Sequence, residues 1–132
     1  MEKIITIGDK ELTVKSTAGS LFRYKANFKR DGVKDLLSLA KGIEDSKKED
    51  KQGGKEDDKE KILKMLENES FNLDVFYNFL WVFAKTANDS IPPIEKWLDE
   101  FDLPPLDFVT EALPQILPLL FSAVKTTVKP KN

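Results

Sequence analysis

The chain contains neither cysteine nor histidine. Without a thiol or an imidazole it has no means of forming a disulfide, a His- or Cys-ligated zinc site, a cysteine nucleophile or a Ser-His-Asp relay. Carboxylates, lysines and tyrosines remain for acid-base chemistry. The carboxylate pairs Asp57-Asp58 and Asp99-Glu100 accompany neither an apolar pocket pattern nor a Gly-rich phosphate loop. We therefore predict a non-enzymatic protein that binds no cofactor and no metal.

A charge excess of one sign is also absent, since 21 basic residues stand against 23 acidic ones and the formal net charge is -2. Nucleic-acid binding needs a strong basic field, so this function is disfavoured. The first residues, MEKIITIGDK, lack the apolar core of a signal peptide. The longest apolar stretches are interrupted and shorter than the roughly 20 residues of a membrane span. We expect a soluble intracellular protein that binds no membrane.

The first half of the sequence predicts a hairpin and two helices. Two runs rich in β-branched residues flank Gly8-Asp9-Lys10, which is the pattern of a β-hairpin. Ser16 or Thr17 is then the expected N-cap of a helix. Two apolar stripes of helical spacing follow, formed by Leu21, Phe22, Lys25 and Phe28 and by Val33, Leu36, Leu37 and Ala40. We expect two helices, or one helix kinked at Asp31-Gly32.

The segment 44–61 has no apolar residue and carries six lysines and eight acidic residues around Gly53-Gly54. Such a segment buries too little surface to offset its ordering entropy. We predict a flexible charged loop, and its near-balanced charge makes a dedicated docking strip the less favoured alternative.

The stretch FNLDVFYNFLWVFAKTAN has the densest aromatic content. A helix that is apolar on all sides is normally buried. Two interpretations remain open: a central core helix, which we favour, and a helix with one face against another chain.

Two proline pairs divide the last third of the chain. Pro93 keeps Pro92 out of the helical region and suits the first position of a new helix, whose stripe is Ile94, Trp97, Leu98 and Phe101. Pro104-Pro105 repeats this arrangement. We expect the last helix to begin near Pro114 or to bend there, and the basic tail 126–132 to fray.

The predicted fold class is α+β, mainly α. An N-terminal β-hairpin precedes about five or six short helices and a flexible charged loop, all in a single domain over residues 1–132. Arg23 and Tyr24 have two interpretations. In the first, Arg23 is a snorkelling arginine on a helix that ends in an Arg30-Asp31 ion pair. In the second, Arg23 and Tyr24 anchor a protein interface, where both residue types are enriched.

Several segments occur in an order that resembles the tail assembly chaperones of long-tailed bacteriophages and prophages of Gram-positive bacteria. They are ITIGDKELTVKST, FRYKANFKRD, VFYNFLWVFAK, SIPPIEKWLDEF and the short Lys-rich C-terminus. The resemblance covers most of the chain outside 44–61, and none of these segments is a catalytic signature. The long charged insert and the Pro-rich last helix depart from the family pattern.

The resemblance implies a function in the host bacterial cytoplasm. Proteins of this family bind the tape measure protein, keep that long helical chain soluble, help to recruit the major tail (tube) protein and are absent from the mature virion. It also implies a longer form made by ribosomal frameshifting. Pro130-Lys131-Asn132 is compatible with the slippery codons CCA AAA AAC, and a gene reading CCG AAG AAT would exclude that site.

The residues suggest a mechanism in which an apolar groove holds amphipathic helices of the client. The candidate client-binding or interface residues are Arg23, Tyr24, Phe76, Phe79, Leu80, Phe83, Trp97 and Phe101. For Trp97 alone the core is favoured. Homo-oligomerisation and association with the frameshifted form remain open. The alternatives are a head-tail or tail-completion protein retained in the virion, and a small adaptor unrelated to phages.

Overall fold

The computed structural model describes residues 1–49 and 58–124. Two antiparallel strands precede six helices, which confirms the predicted fold class. In chain order the elements are β1 (Glu2–Ile7), β2 (Lys10–Lys15), α1 (Gly19–Phe28), α2 (Gly32–Glu49), α3 (Asp58–Glu67), α4 (Leu73–Ala87), α5 (Ile94–Leu98) and α6 (Pro105–Val124).

The hairpin turns at Gly8, whose positive φ of 64° favours glycine. Its strands alternate, so that Ile5, Ile7 and Val14 are buried. The β1 backbone is also held by α6. Gln115 accepts from the amide of Thr6 at 2.9 Å and donates to its carbonyl at 2.6 Å. The helix side chain thus hydrogen-bonds to an edge that would otherwise be free to pair with another strand.

Two separate helices follow, as one of the sequence alternatives predicted. α1 ends at Lys29 in the left-handed conformation, and the Asp31 carboxylate accepts from the amides of Val33 and Lys34 at the start of α2. Neither predicted hydroxyl is the N-cap of α1, which is Ala18. Thr17 instead accepts from the Gly19 amide at 3.2 Å.

The predicted stripes of α1 and α2 were partly wrong. Phe22 is 77% exposed, and Val33 and Leu37 are each 51% exposed. The buried face of α1 carries Ser20 and Tyr24, and that of α2 carries Leu36, Leu39, Ala40 and Ile43. Apolar spacing alone allowed several overlapping stripes, and the packing of both helices against α4 selected the buried one.

α4 is the central helix. Asn72 caps it by accepting from the Val75 amide at 3.2 Å. Eight of its residues are buried, namely Val75, Phe76, Phe79, Leu80, Trp81, Val82, Phe83 and Ala84. The helix contacts β2, α1 and α2. The favoured interpretation of a core helix is therefore confirmed.

The proline pairs form corners, as expected, with two differences. α5 begins at Ile94, and Pro93 is its N-cap with an extended ψ of 154°. α6 begins at Pro105 and continues through Pro114 and Pro118, so the predicted start near Pro114 was wrong. An interior proline costs about 3 kcal/mol. Six large apolar side chains of α6 are buried, each contributing about 1.5–3 kcal/mol, and together they offset the cost of both prolines.

α6 is also long and apolar enough to cross a membrane, by length and composition alone. The last apolar stretch, which we had considered too short to span a membrane, is therefore part of a longer helix. Core helices pass the same test, and α6 buries Leu113, Ile116 and Leu119 against neighbouring elements.

The predicted charged loop is helical at both ends. α2 extends to Glu49 and α3 begins at Asp58. Lys and Glu are good helix formers and can extend a helix whose first half is held by packing. The rest of that prediction, residues 50–57, and the predicted frayed tail 126–132 lie outside the described residues.

Candidate partner-binding surface

Most of the predicted client-binding residues lie in the hydrophobic core. Six of the eight are buried, namely Tyr24, Phe76, Phe79, Leu80, Phe83 and Trp97. Arg23 and Phe101 are half-buried. The structure thus brings the aromatic residues together, but as a packed interior rather than as an open groove.

Arg23 and Tyr24 both have partners inside the molecule. Arg23 Nη1 donates to Thr86 Oγ1 of α4 at 2.9 Å. The Tyr24 hydroxyl donates to Asp35 Oδ2 at 2.6 Å. Asp35 also binds the Arg30 guanidinium through Nε at 2.6 Å and Nη2 at 3.0 Å. The arginine therefore pairs with Asp35 rather than with Asp31, and the structural interpretation of these residues accounts for every contact described.

This network changes the proton affinity of its members. The hydrogen bonds from Arg30 hold the pKa of Asp35 below its ordinary value, although burial acts in the opposite direction. Burial raises the pKa of Tyr24 to about 12, and its hydrogen bond to Asp35 adds to the rise. At neutral pH the cluster is a carboxylate that accepts hydrogen bonds from a neutral phenol and a guanidinium, and bonds of this charge-assisted kind are strong.

Three segments of the resemblance pack on one another. Tyr24 stacks on Phe79 with a centroid distance of 4.3 Å, and Phe28 meets Trp81 edge-on at 5.6 Å. Trp81 Nε1 donates to the carbonyl of Pro92 at 2.9 Å. The segments RYKANFKRD, VFYNFLWVFAK and SIPPIEKWLDEF thus form a single unit around α4. Sequence spacing alone gave no signal for the Trp81–Pro92 bond.

The exposed large apolar side chains were not among the predicted binding residues, and they are Met1, Ile4, Phe22, Val33, Leu37 and Leu106. Phe22 projects from α1, and Val33 and Leu37 lie one turn apart on α2. None of the three was among the predicted binding residues, because each was assigned to a buried stripe. A large exposed aromatic residue is a feature of partner-binding surfaces, where Phe is enriched.

A cleft of about 300 Å³ opens where α4, α5 and α6 meet, and we call it the corner cleft. Its lining residues are Tyr77, Leu98, Asp99, Phe101, Asp102, Leu103, Pro105 and Phe108. Phe108 stacks on Tyr77 at 6.1 Å and meets Phe101 edge-on at 5.2 Å. Aromatic rings therefore form one side of the cleft and exposed carboxylates lie at its rim.

Two further depressions differ in chemistry. One of about 310 Å³ reaches Phe79 and Phe83 from the side of α1, between Leu21, Leu36 and Ala123. The other, of about 510 Å³, lies between α2 and the start of α4 and is lined mainly by polar groups of both charges. Where side chains are described, over residues 1–46 and 59–124, no three acidic side chains lie close enough together to hold a metal ion.

No model of a protein family matches the chain, and comparisons with curated proteins and with solved structures also gave no match.

Proposed function

We propose that this protein is a tail assembly chaperone of a long-tailed phage or prophage. It binds the tape measure protein in the host bacterial cytoplasm, keeps that chain soluble and promotes assembly of the tail tube. It leaves before the virion matures. The major tail protein and a longer frameshifted form of the same chain are the further partners, and the chain acts without catalysis.

One observation carries the proposal. The segments on which the family resemblance rests are distant in sequence, yet they pack together through the Tyr24–Phe79 stack and the Trp81–Pro92 hydrogen bond. Matching segments that pack against one another are more informative than matching segments that do not touch, because the packed arrangement requires all of them together. The packing supports treating these segments as one structural unit of this chain, on which the proposed function rests.

The burial of the core aromatics changes the proposed mode of binding. Client contacts fall to surface side chains, which are Phe22 of α1, Val33 and Leu37 of α2, and the half-buried aromatics of the corner cleft. Each such patch is small, so a single copy binds weakly. Many copies along one long client chain give strength through multivalency. The charged segment 44–61 maintains solubility of the loaded complex.

Co-expression with the tape measure protein of the same phage tests the proposal. We expect the client to move from the insoluble to the soluble fraction and to co-elute with this chain in size exclusion. The longer frameshifted form is expressed in parallel, since it is a second form of the same chaperone. Equal insolubility with and without both forms would overturn the proposal.

Mass spectrometry of purified virions separates the chaperone from its main alternative. A chaperone is expected in lysates and absent from particles. Stoichiometric recovery from particles would instead identify a head-tail or tail-completion protein.

A further inference from the structure

The corner cleft has a chemistry that neither the core nor the exposed apolar residues share. Its aromatic members are Tyr77 and Phe101, which are half-buried, and Phe108, which is buried. Because Phe108 contacts both of the other rings, the three side chains are fixed relative to one another. Trp97 supports Phe101 from within the core at 5.2 Å. The cleft is therefore a rigid aromatic surface rather than a loose gap.

The charged residues that line the cleft are both acidic. Asp99 and Asp102 line the cleft and are exposed, and among residues 1–46 and 59–124, whose side chains the structure describes, no lysine or arginine forms an ion pair with either. Asp107, just beyond the cleft, is different because Lys59 lies 3.6 Å from it. The start of α6 would by itself attract an anion, but Asp107 in its first turn already supplies a carboxylate there.

One ring of the cleft already has a cation beside it. Lys10 of β2 places its ammonium 5.5 Å from the centroid of the Phe101 ring. This is the distance range of a cation–π contact. Lys10 is not among the residues that line the cleft. The cleft thus offers further ring surface, with carboxylates beside it, to a second cation.

We propose that the corner cleft is the docking site for a lysine or arginine side chain of the partner protein. The aliphatic part of that side chain packs on the three rings, and its cationic group lies between Asp99 and Asp102. A volume of about 300 Å³ is at the small end for ligand sites and suits one long side chain rather than a whole helix. The inference rests on the proposed function in one respect: the bound side chain is assumed to belong to a partner protein.

A pair of synthetic peptides tests the inference without the client. Both are amphipathic 16-residue helices with the same leucine and alanine positions, and they carry either lysine or glutamate at every polar position. We expect the lysine peptide to bind about tenfold more tightly, measured by isothermal titration calorimetry at low salt. Equal binding of the two peptides would overturn the proposal.

Variants assign that binding to the cleft. We expect Asp99→Asn with Asp102→Asn to weaken lysine-peptide binding about five- to tenfold, and Lys10→Gln to strengthen it about twofold by removing a like charge. Glu69→Gln with Asp45→Asn is the matched control, since it makes the same change of charge at the polar depression on another face. Equal weakening by both double variants would show long-range attraction only and would overturn the cleft assignment.

NMR spectra of the wild type locate the contact directly. On addition of N-acetyl-lysine methylamide, and separately of the arginine analogue, the ring signals of Tyr77 and Phe101 should shift more than those of Phe22. Larger shifts at Phe22 would contradict the assignment. If the lysine peptide binds at the cleft but the client is not kept soluble, the proposed function is refuted and the cleft proposal stands. If the client is kept soluble but the lysine peptide does not bind preferentially, only the cleft proposal is refuted.

Discussion

α4 and the corner cleft are both rich in aromatic residues, yet only one of them is accessible. On α4, Phe76, Phe79 and Phe83 are covered from several directions by β2, α1 and α2. At the corner, Phe101 lies between a five-residue helix and the start of α6 and stays half-buried, with Lys10 of β2 at 5.5 Å from its ring centroid. The aromatic density of α4 therefore predicted its burial, whereas the corner keeps aromatic rings half-buried because fewer elements pack around them.

The largest expected effect tests this difference in burial. Phe79→Ala should lower the free energy of unfolding by about 3–5 kcal/mol, because it removes a fully buried ring stacked on Tyr24. Phe101→Ala should cost about 1–2 kcal/mol, since its ring is only half-buried. Urea unfolding measures both. Equal losses would mean that Phe101 belongs to the core as fully as Phe79 does.

The next effect concerns the junction between the two regions. Trp81→Phe removes the indole donor to the Pro92 carbonyl and should cost about 1 kcal/mol more than Trp97→Phe. Trp97 is the matched control because it is also buried, and its indole nitrogen makes no hydrogen bond with any residue that the structure describes. Thermal unfolding of the two variants gives the comparison. A larger loss in Trp97→Phe would argue against the corner being held by that bond.

An acid-dependent effect follows from the polar cluster beside α4. The pKa of Asp35 is lower in the folded than in the unfolded chain, because Arg30 donates to the ionised carboxylate. Its stabilisation is complete above the unfolded pKa of about 3.9 and is lost as the pH falls through the folded value. Asp35→Asn should remove this part of the stability that the protein loses in acid. Urea unfolding between pH 7 and pH 2 measures the free energy of unfolding of both proteins. An acid profile unchanged relative to Asp45→Asn would contradict the prediction.

An alkaline effect has the opposite sign. Burial raises the pKa of Tyr24 to about 12 from an unfolded value near 10. The neutral phenol therefore stabilises the fold fully below about pH 10, and this contribution disappears as the pH rises towards 12. Tyr24→Phe should be less stable at pH 7 by about 1 kcal/mol but should lose less stability between pH 10 and pH 12. Parallel curves for the two proteins would refute the assignment.

The smallest effect on stability belongs to the exposed surface. Phe22→Ser should change the free energy of unfolding by no more than about 0.5 kcal/mol, because the ring is largely in solvent. It should nevertheless reduce the soluble fraction of co-expressed tape measure protein. Lys25→Ser is the control, being an exposed change on the same helix. Equal client solubility with both variants would remove Phe22 from the proposed binding surface.

The sequence was most informative where a local rule applied. The β-branched runs around Gly8 predicted the hairpin, and the proline pairs predicted the corners before α5 and α6. The binding residues could not be predicted in the same way. Phe79 and Phe101 both belong to apolar patterns, and only the number of neighbouring elements distinguishes the buried ring from the accessible one.

The sequence by itself determined the absence of thiol and imidazole chemistry, the hairpin and the central aromatic helix, because these depend on composition or on near neighbours in the chain. Tertiary structure decided that α6 continues through two prolines, that Arg30 pairs with Asp35, and that Phe22 faces solvent while Tyr24 is buried. Each of these outcomes depends on contacts between elements far apart in sequence. Packing energies of several kcal/mol there exceed the local preferences that a sequence pattern expresses.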